Sequence, residues 1–263
     1  DMNTANGDEG LDTLSGIETF RFADGDIQNS TEFNEFKVNT YTEGYQIDSA
    51  ITGLVNGGFV VTWTSLGQEN ETKVYAQRYD SNGAAQGSEF QVNTYTTDEQ
   101  YDPSITALIA GGFVVTWMSD GQDGSGSGIY AQRYDANGTA QGSEFRVNTT
   151  TTNWQHDPSI TALTAGGFVV TWMSVGQDGS LGGIYAQRYD SNGAAQGSEF
   201  RVNTTTTNLQ HDPSITALIA GGFAVTWISR SQDGSQDGIY AQRYDSNGAA
   251  QGSEFRVNTY TPD

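Results

Sequence analysis

A segment of about 55 residues recurs four times along this chain of 263 residues, and that period constrains the fold more than any other feature. A GGF-x-VTW segment ends at Trp63, Trp117, Trp172 and Trp227. An EF-x-VNT segment occurs five times, with its Phe at Phe36, Phe90, Phe145, Phe200 and Phe255. Pro103, Pro158 and Pro213 share one place in the repeat, where the first copy has Ser49.

Each period reads as four short strands separated by turn signals. In the third copy they begin at Ser159 (SITAL, strand A), Phe168 (FVVTWMS, B), Ile184 (IYAQRYD, C) and Glu199 (EFRVNT, D). Gly166-Gly167 joins A to B, and an Asp-x-Asn-Gly turn opens the connection from C to D. No segment sustains a helical period, so the chain is expected to be all-β. Strand A carries small residues suited to a crowded centre. Strand B is apolar on both faces, with Phe168, Val170 and Trp172 on one side and Val169 and Met173 on the other, as for a strand covered twice. Strand D alternates in the half-exposed manner of an outer strand. This gradient predicts a β-propeller of four-stranded blades: four blades, or a cut from a five-bladed or longer array. Tandem small β-sandwich repeats are the alternative. Residues 1–34 fall outside the repeat and read as a separate segment before the repeat domain, 35–263.

The net charge of -21 sets 32 Asp and Glu against 11 Lys and Arg. A surface of that sign repels nucleic acid and anionic membranes. No apolar run is long enough to span a bilayer, so no membrane insertion is expected. The absence of cysteine excludes disulfides and thiolate metal sites. The aromatic content, 5 Trp, 13 Tyr and 12 Phe, supports a packed fold despite 33 Gly.

In the first segment Gly7, Gly10, Asp12 and Leu14 fit the calcium nonapeptide G-G-x-G-x-D-x-U-x, with Asp8 in place of its second Gly. Residues 6–27 thereby resemble the last turn of a hemolysin-type calcium-binding (RTX) domain. One such turn cannot form a β-roll, which binds calcium between stacked copies. The phrases GGFVVTW, GQDGS, GIYAQRYD and GSEFRVNT resemble tandem repeats of large secreted bacterial calcium-binding proteins, adhesins and polysaccharide-active enzymes of aquatic and marine bacteria. The resemblance implies an extracellular protein exported by a one-step route, and a monomeric module within a longer chain.

Copies of the repeat differ mainly on the face that carries the B to C and D to A loops. Before the shared Gln46, Gln100, Gln155 and Gln210 stand Tyr45, Glu99, Trp154 and Leu209, and after it Ile47, Tyr101, His156 and His211. An aromatic ring beside amide and carboxylate groups is what binds a sugar. The candidate ligand-binding residues are therefore Trp154, Gln155, His156 and Asp178, with Tyr101, Gln100, Asp123, Gln210, His211, Asp233 and Tyr45. The same positions also fit loops on which nothing depends.

Asp123, Asp178 and Asp233 occupy one loop position in three copies and, with Asp237, are the candidate ligands for Ca2+. A plain Asp-Gly turn is the favoured explanation, because a single carboxylate per loop is a poor calcium site, and Asp237 adds a second carboxylate only in the fourth loop. Asp48, Asp102, Asp157 and Asp212 precede strand A and are expected to bond nearby backbone amides. Arg78, Arg133, Arg188 and Arg243 are expected to pair with an acidic neighbour such as the strand D Glu. Near-identical repeats argue against catalysis, which needs one asymmetric arrangement. The leading expectation is a non-catalytic module that binds polysaccharide or another glycan. The alternatives are a calcium-stiffened structural or adhesin repeat, and a polysaccharide lyase or hydrolase using His156 or His211.

Overall fold

The computed structural model describes residues 19–22, 25–28, 35–68 and 71–259. The chain divides into two compact units, Asp1–Lys37 and Val38–Asp263. Within the first, β1 (Thr19–Phe22) and β2 (Gly25–Gln28) form an antiparallel hairpin. The nonapeptide residues Gly7, Gly10, Asp12 and Leu14 lie outside the described residues.

The second unit is a β-propeller of four antiparallel four-stranded blades, as the repeat predicts. Blade 1 is β3 (Tyr45–Gly53), β4 (Phe59–Leu66), β5 (Thr72–Tyr79) and β6 (Phe90–Gln91). Blade 2 is β7 (Gln100–Ala107), β8 (Phe113–Asp120), β9 (Ser127–Tyr134) and β10 (Phe145–Arg146). Blade 3 is β11 (Gln155–Ala162), β12 (Phe168–Ser174), β13 (Gly183–Tyr189) and β14 (Phe200–Arg201). Blade 4 is β15 (Gln210–Ala217), β16 (Phe223–Arg230), β17 (Asp237–Tyr244) and β18 (Phe255–Arg256). In every blade the strands pair in the order A–B–C–D, and β3, β7, β11 and β15 are the inner strands, packed in succession.

The core lies between blades, which is why strand B is apolar on both faces. Phe168, Val170 and Trp172 pack with Val114, Met118 and Ile129 of blade 2. Val169 and Met173 pack with Phe223, Val225 and Trp227 of blade 4. Trp117, Trp172 and Trp227 are almost wholly buried, each worth roughly 3–5 kcal/mol against truncation to Ala.

Polar ties fix the spacing of these layers. The hydroxyls of Tyr134, Tyr189 and Tyr244 each donate to the carbonyl of a Val in the preceding blade, at 3.1 Å. Among the described residues the strand C arginines form no ion pair with an acid. Arg78, Arg133 and Arg188 donate to the carbonyls of Asn137, Asn192 and Asn247 in the next blade's turn, at 2.5, 2.6 and 2.6 Å. The strand D glutamates serve elsewhere: Glu144 and Glu199 accept the amides of Thr94 and Thr149 at 2.6 Å.

Turn chemistry follows the sequence. Asp190 accepts the amides of Asn192 and Ala194 at 2.8 and 2.9 Å, which makes the Asp-x-Asn-Gly segment a plain capped turn. Gly167 sits at φ +78, and a Cβ there would lie 2.2 Å from the Tyr189 carbonyl oxygen, so no side chain fits that corner.

Candidate functional site

Strand A of each blade carries a β-bulge near its start, and the bulge places Asp48, Asp102, Asp157 and Asp212 at φ 52, 52, 53 and 50. Aspartate tolerates this left-handed backbone better than most residues. Because the inner strands lie side by side, the aspartates of successive blades come within electrostatic reach. Burial, then the charges of Asp48 and Asp157, raise Asp102 from 3.8 to about 6. Asp157 is also raised, first by burial and then by Asp212. These residues thus form a row in which like charges meet, and Asp157 also accepts a backbone hydrogen bond from Asp212, as the sequence predicts for this position.

Beside that row, on the B to C and D to A face, a groove of about 370 Å3 runs between blades 2 and 3. Tyr101 and Asp120 line it from blade 2, and Trp154 and His156 from blade 3. Trp154 is 57% exposed, and its ring meets His156 edge-on at 5.9 Å. The ring is seated by Gly126, where a Cβ would stand 1.7 Å from Trp154 Cδ1. Asp120 Oδ1 accepts the Ser127 hydroxyl at 2.6 Å and the Tyr101 hydroxyl at 3.4 Å. Burial, followed by the Asp120 charge, pushes Tyr101 up to about 12, so this phenol stays a proton donor at neutral pH. Burial lowers His156, against the opposing charges of Asp157 and Asp120, so its imidazole favours the neutral form. Groove and aspartate row are therefore one electrostatic unit.

The structure brings together Tyr101, Trp154 and His156 and leaves the other candidates apart. Gln100, Gln155 and Gln210 are fully buried. Gln155 donates to the Thr152 carbonyl at 3.1 Å and accepts from Asn148 at 3.0 Å, bracing the D to A loop. Tyr45 stands exposed on blade 1. His211 faces Asp212 at 3.2 Å, in blade 4.

Asp123 and Asp178 accept the amides of Ser125 and Ser180 within their own loops. Asp233 pairs with Arg256, and Asp237 with Arg230, at 3.2 and 3.3 Å. Among the described residues no three His, Cys, Asp or Glu side chains gather as a metal site.

Asp120 is the residue that sequence reasoning passed over. Its equivalents at the end of strand B are Leu66, Val175 and Arg230, so the groove carries a carboxylate that no other blade repeats. The signal lay one residue before the variable loop. At the junction of blades 1 and 2 the equivalent hollow is lined by Gly67, Glu71, Thr72, Asp98 and Glu99, without an aromatic ring.

No family model and no curated protein matches the sequence. Solved structures do match in fold. A GH43_1 enzyme from Xanthomonas citri, complexed with xylotriose, aligns over 82% of this chain and 74% of its own, with 14% identity and a TM-score of 0.50. A Hadza microbial sialidase aligns over 80% of this chain and 46% of its own, with 9% identity and a TM-score of 0.56.

The expectation of a non-catalytic glycan-binding module is corrected by these neighbours, which are enzymes on the same scaffold. Its premise, that near-identical repeats cannot build one asymmetric site, fails at Asp120 and Trp154, which are unlike their counterparts in the other blades.

Proposed function

We propose that the protein is a glycan-cleaving hydrolase whose active site is the groove between blades 2 and 3 and the aspartate row beside it. The observation that carries this reading is the groove itself, where Asp120 lies with Tyr101, Trp154 and His156, beside an aspartate row in which burial and like charge raise Asp102 to about 6. Glycoside hydrolysis needs one carboxyl group that keeps its proton to protonate the leaving oxygen, and a carboxylate that activates water or attacks the sugar. Asp102, with the raised Asp157, supplies the acid in this scheme. Asp120, oriented by Ser127 and Tyr101, supplies the carboxylate. Trp154 offers a face for the apolar side of a sugar ring, and neutral His156 takes hydroxyls. The xylotriose bound by the Xanthomonas citri enzyme makes neutral pentose polymers the first substrates to test, a choice that also suits an acidic surface. The RTX-like phrases favour an extracellular setting for this activity.

The test is reducing-end release from xylan, arabinan and a wider polysaccharide panel. Asp120→Asn and Asp102→Asn should each lower the rate by about a hundredfold or more, the scale of a lost acid or base. Glycan binding without release by the parent protein would overturn the proposal.

A further inference from the structure

Blade 4 presents to solvent the face that blades 1, 2 and 3 bury against their successors. Ile129 and Ile184 are 0% exposed, and their equivalent Ile239 is 38% exposed. Val147 and Val202 are 2% exposed, and Val257 is 51% exposed. The polar ties stop at the same place. Thr52, Thr106 and Thr161 accept through Oγ1 the amides of Ala107, Ala162 and Ala217 in the next blade, at 3.1, 3.1 and 3.2 Å. The equivalent Thr216 is exposed and receives no such amide among the described residues. Among the described residues Arg243 likewise meets no turn carbonyl of the kind that Arg78, Arg133 and Arg188 reach.

We propose that this face of blade 4 is a docking surface for one further blade of the same repeat, joined in the same polypeptide. Three established interfaces define what fits it. The occupant must bring a buried Trp and Tyr pair over Ile239, a Tyr hydroxyl to the Val257 carbonyl and a Glu carboxylate to the Thr259 amide. It must also bring an amide to Thr216 Oγ1 and a turn carbonyl to Arg243. Only a copy of this repeat carries all of these in one register. A second copy of the whole chain is a poorer occupant, because on its blade 1 Trp63, Tyr75 and Tyr79 are already buried, at 3, 5 and 5% exposure, and the Tyr79 hydroxyl already donates to the Val38 carbonyl, although Ile51 stays 65% exposed.

The test compares the full chain with a version in which a copy of residues 209–263 follows Asp263, the interval that continues the period. The added copy should fold onto blade 4, slow amide exchange at Ile239 and Val257 by about tenfold or more, and lower binding of an apolar dye. Ile239→Asp should be nearly neutral in the parent and should abolish those gains in the extended chain. An added copy that stays protease-sensitive, or leaves exchange at Ile239 and Val257 unchanged, overturns the proposal. Concentration-dependent self-association of the parent that protects the same amides also overturns it, in favour of a second copy as occupant.

Discussion

Trp154 of blade 3 lies across Gly126 of blade 2, so close that the glycine's missing side chain is the space the indole edge occupies. The exposed ring is thereby fixed as one wall of the groove by a residue in a different repeat. Gly126→Val should displace the ring without touching any proposed acid or base. The Michaelis constant for a glycan should rise by roughly tenfold, in line with about 1–2 kcal/mol of stacking contact, with far-ultraviolet circular dichroism unchanged. Trp154→Ala should give the same phenotype. If Gly126→Val leaves both indole fluorescence and the Michaelis constant as they were, the ring does not form the wall.

Asp102 predicts a particular pH dependence of stability. Its folded-state value of about 6 lies above the ordinary 3.8, so the stability contributed by its protonated form is fully present below pH 3.8 and is lost as pH rises through about 6. Asp102→Asn should remove that component and leave the protein at least as stable as the parent at pH 7. Urea unfolding of both proteins between pH 4 and 8 measures the difference, and a constant gap across that range would count against the raised carboxyl.

Tyr189 links blade 3 to blade 2 through its buried hydroxyl, which donates to Val147 at 3.1 Å. Tyr189→Phe leaves that carbonyl without its partner and should cost about 1–3 kcal/mol. A melting curve should shift down by roughly 2–4 °C for each kcal/mol in a domain of this size. No shift would mean that apolar packing alone holds the blades together.

Asn148 ties strand C of blade 2 to the D to A loop that carries Trp154. It is 2% exposed, accepts the Ile129 amide at 2.7 Å, and donates to the Thr150 carbonyl and to Gln155 at 2.8 and 3.0 Å. Asn148→Leu should destabilise by about 2–3 kcal/mol, because it strands buried partners on both sides. Glycan turnover should fall further than stability does, since the loop carrying Trp154 loses its brace. Unchanged turnover in a folded Asn148→Leu protein would separate that loop from the groove.

The strand order and the two-sided core were legible because strand B repeats its apolar pattern on both faces, and only a strand between two packed layers needs that. The groove was half legible. Trp154, Tyr101 and His156 stood out because the copies vary at those two positions, while Asp120 was hidden in a strand that reads as structural. The raised Asp102 was not legible at all, since it arises from burial and then from neighbours about 55 residues away in sequence, both of which appear only when inner strands pack side by side. The arginines of strand C misled for a related reason: their partners are backbone carbonyls of the next blade, and a carbonyl leaves no mark in a sequence.

The outer strands β6, β10, β14 and β18 are two residues long. A chain of near-copies is at special risk of joining to its neighbours, because any strand of one molecule matches its equivalents in another. Keeping each outer edge to a pair of residues denies such a stranger a rail of free amides and carbonyls long enough to grip there. Along these outer edges, near-identical repeats offer one another little to pair with.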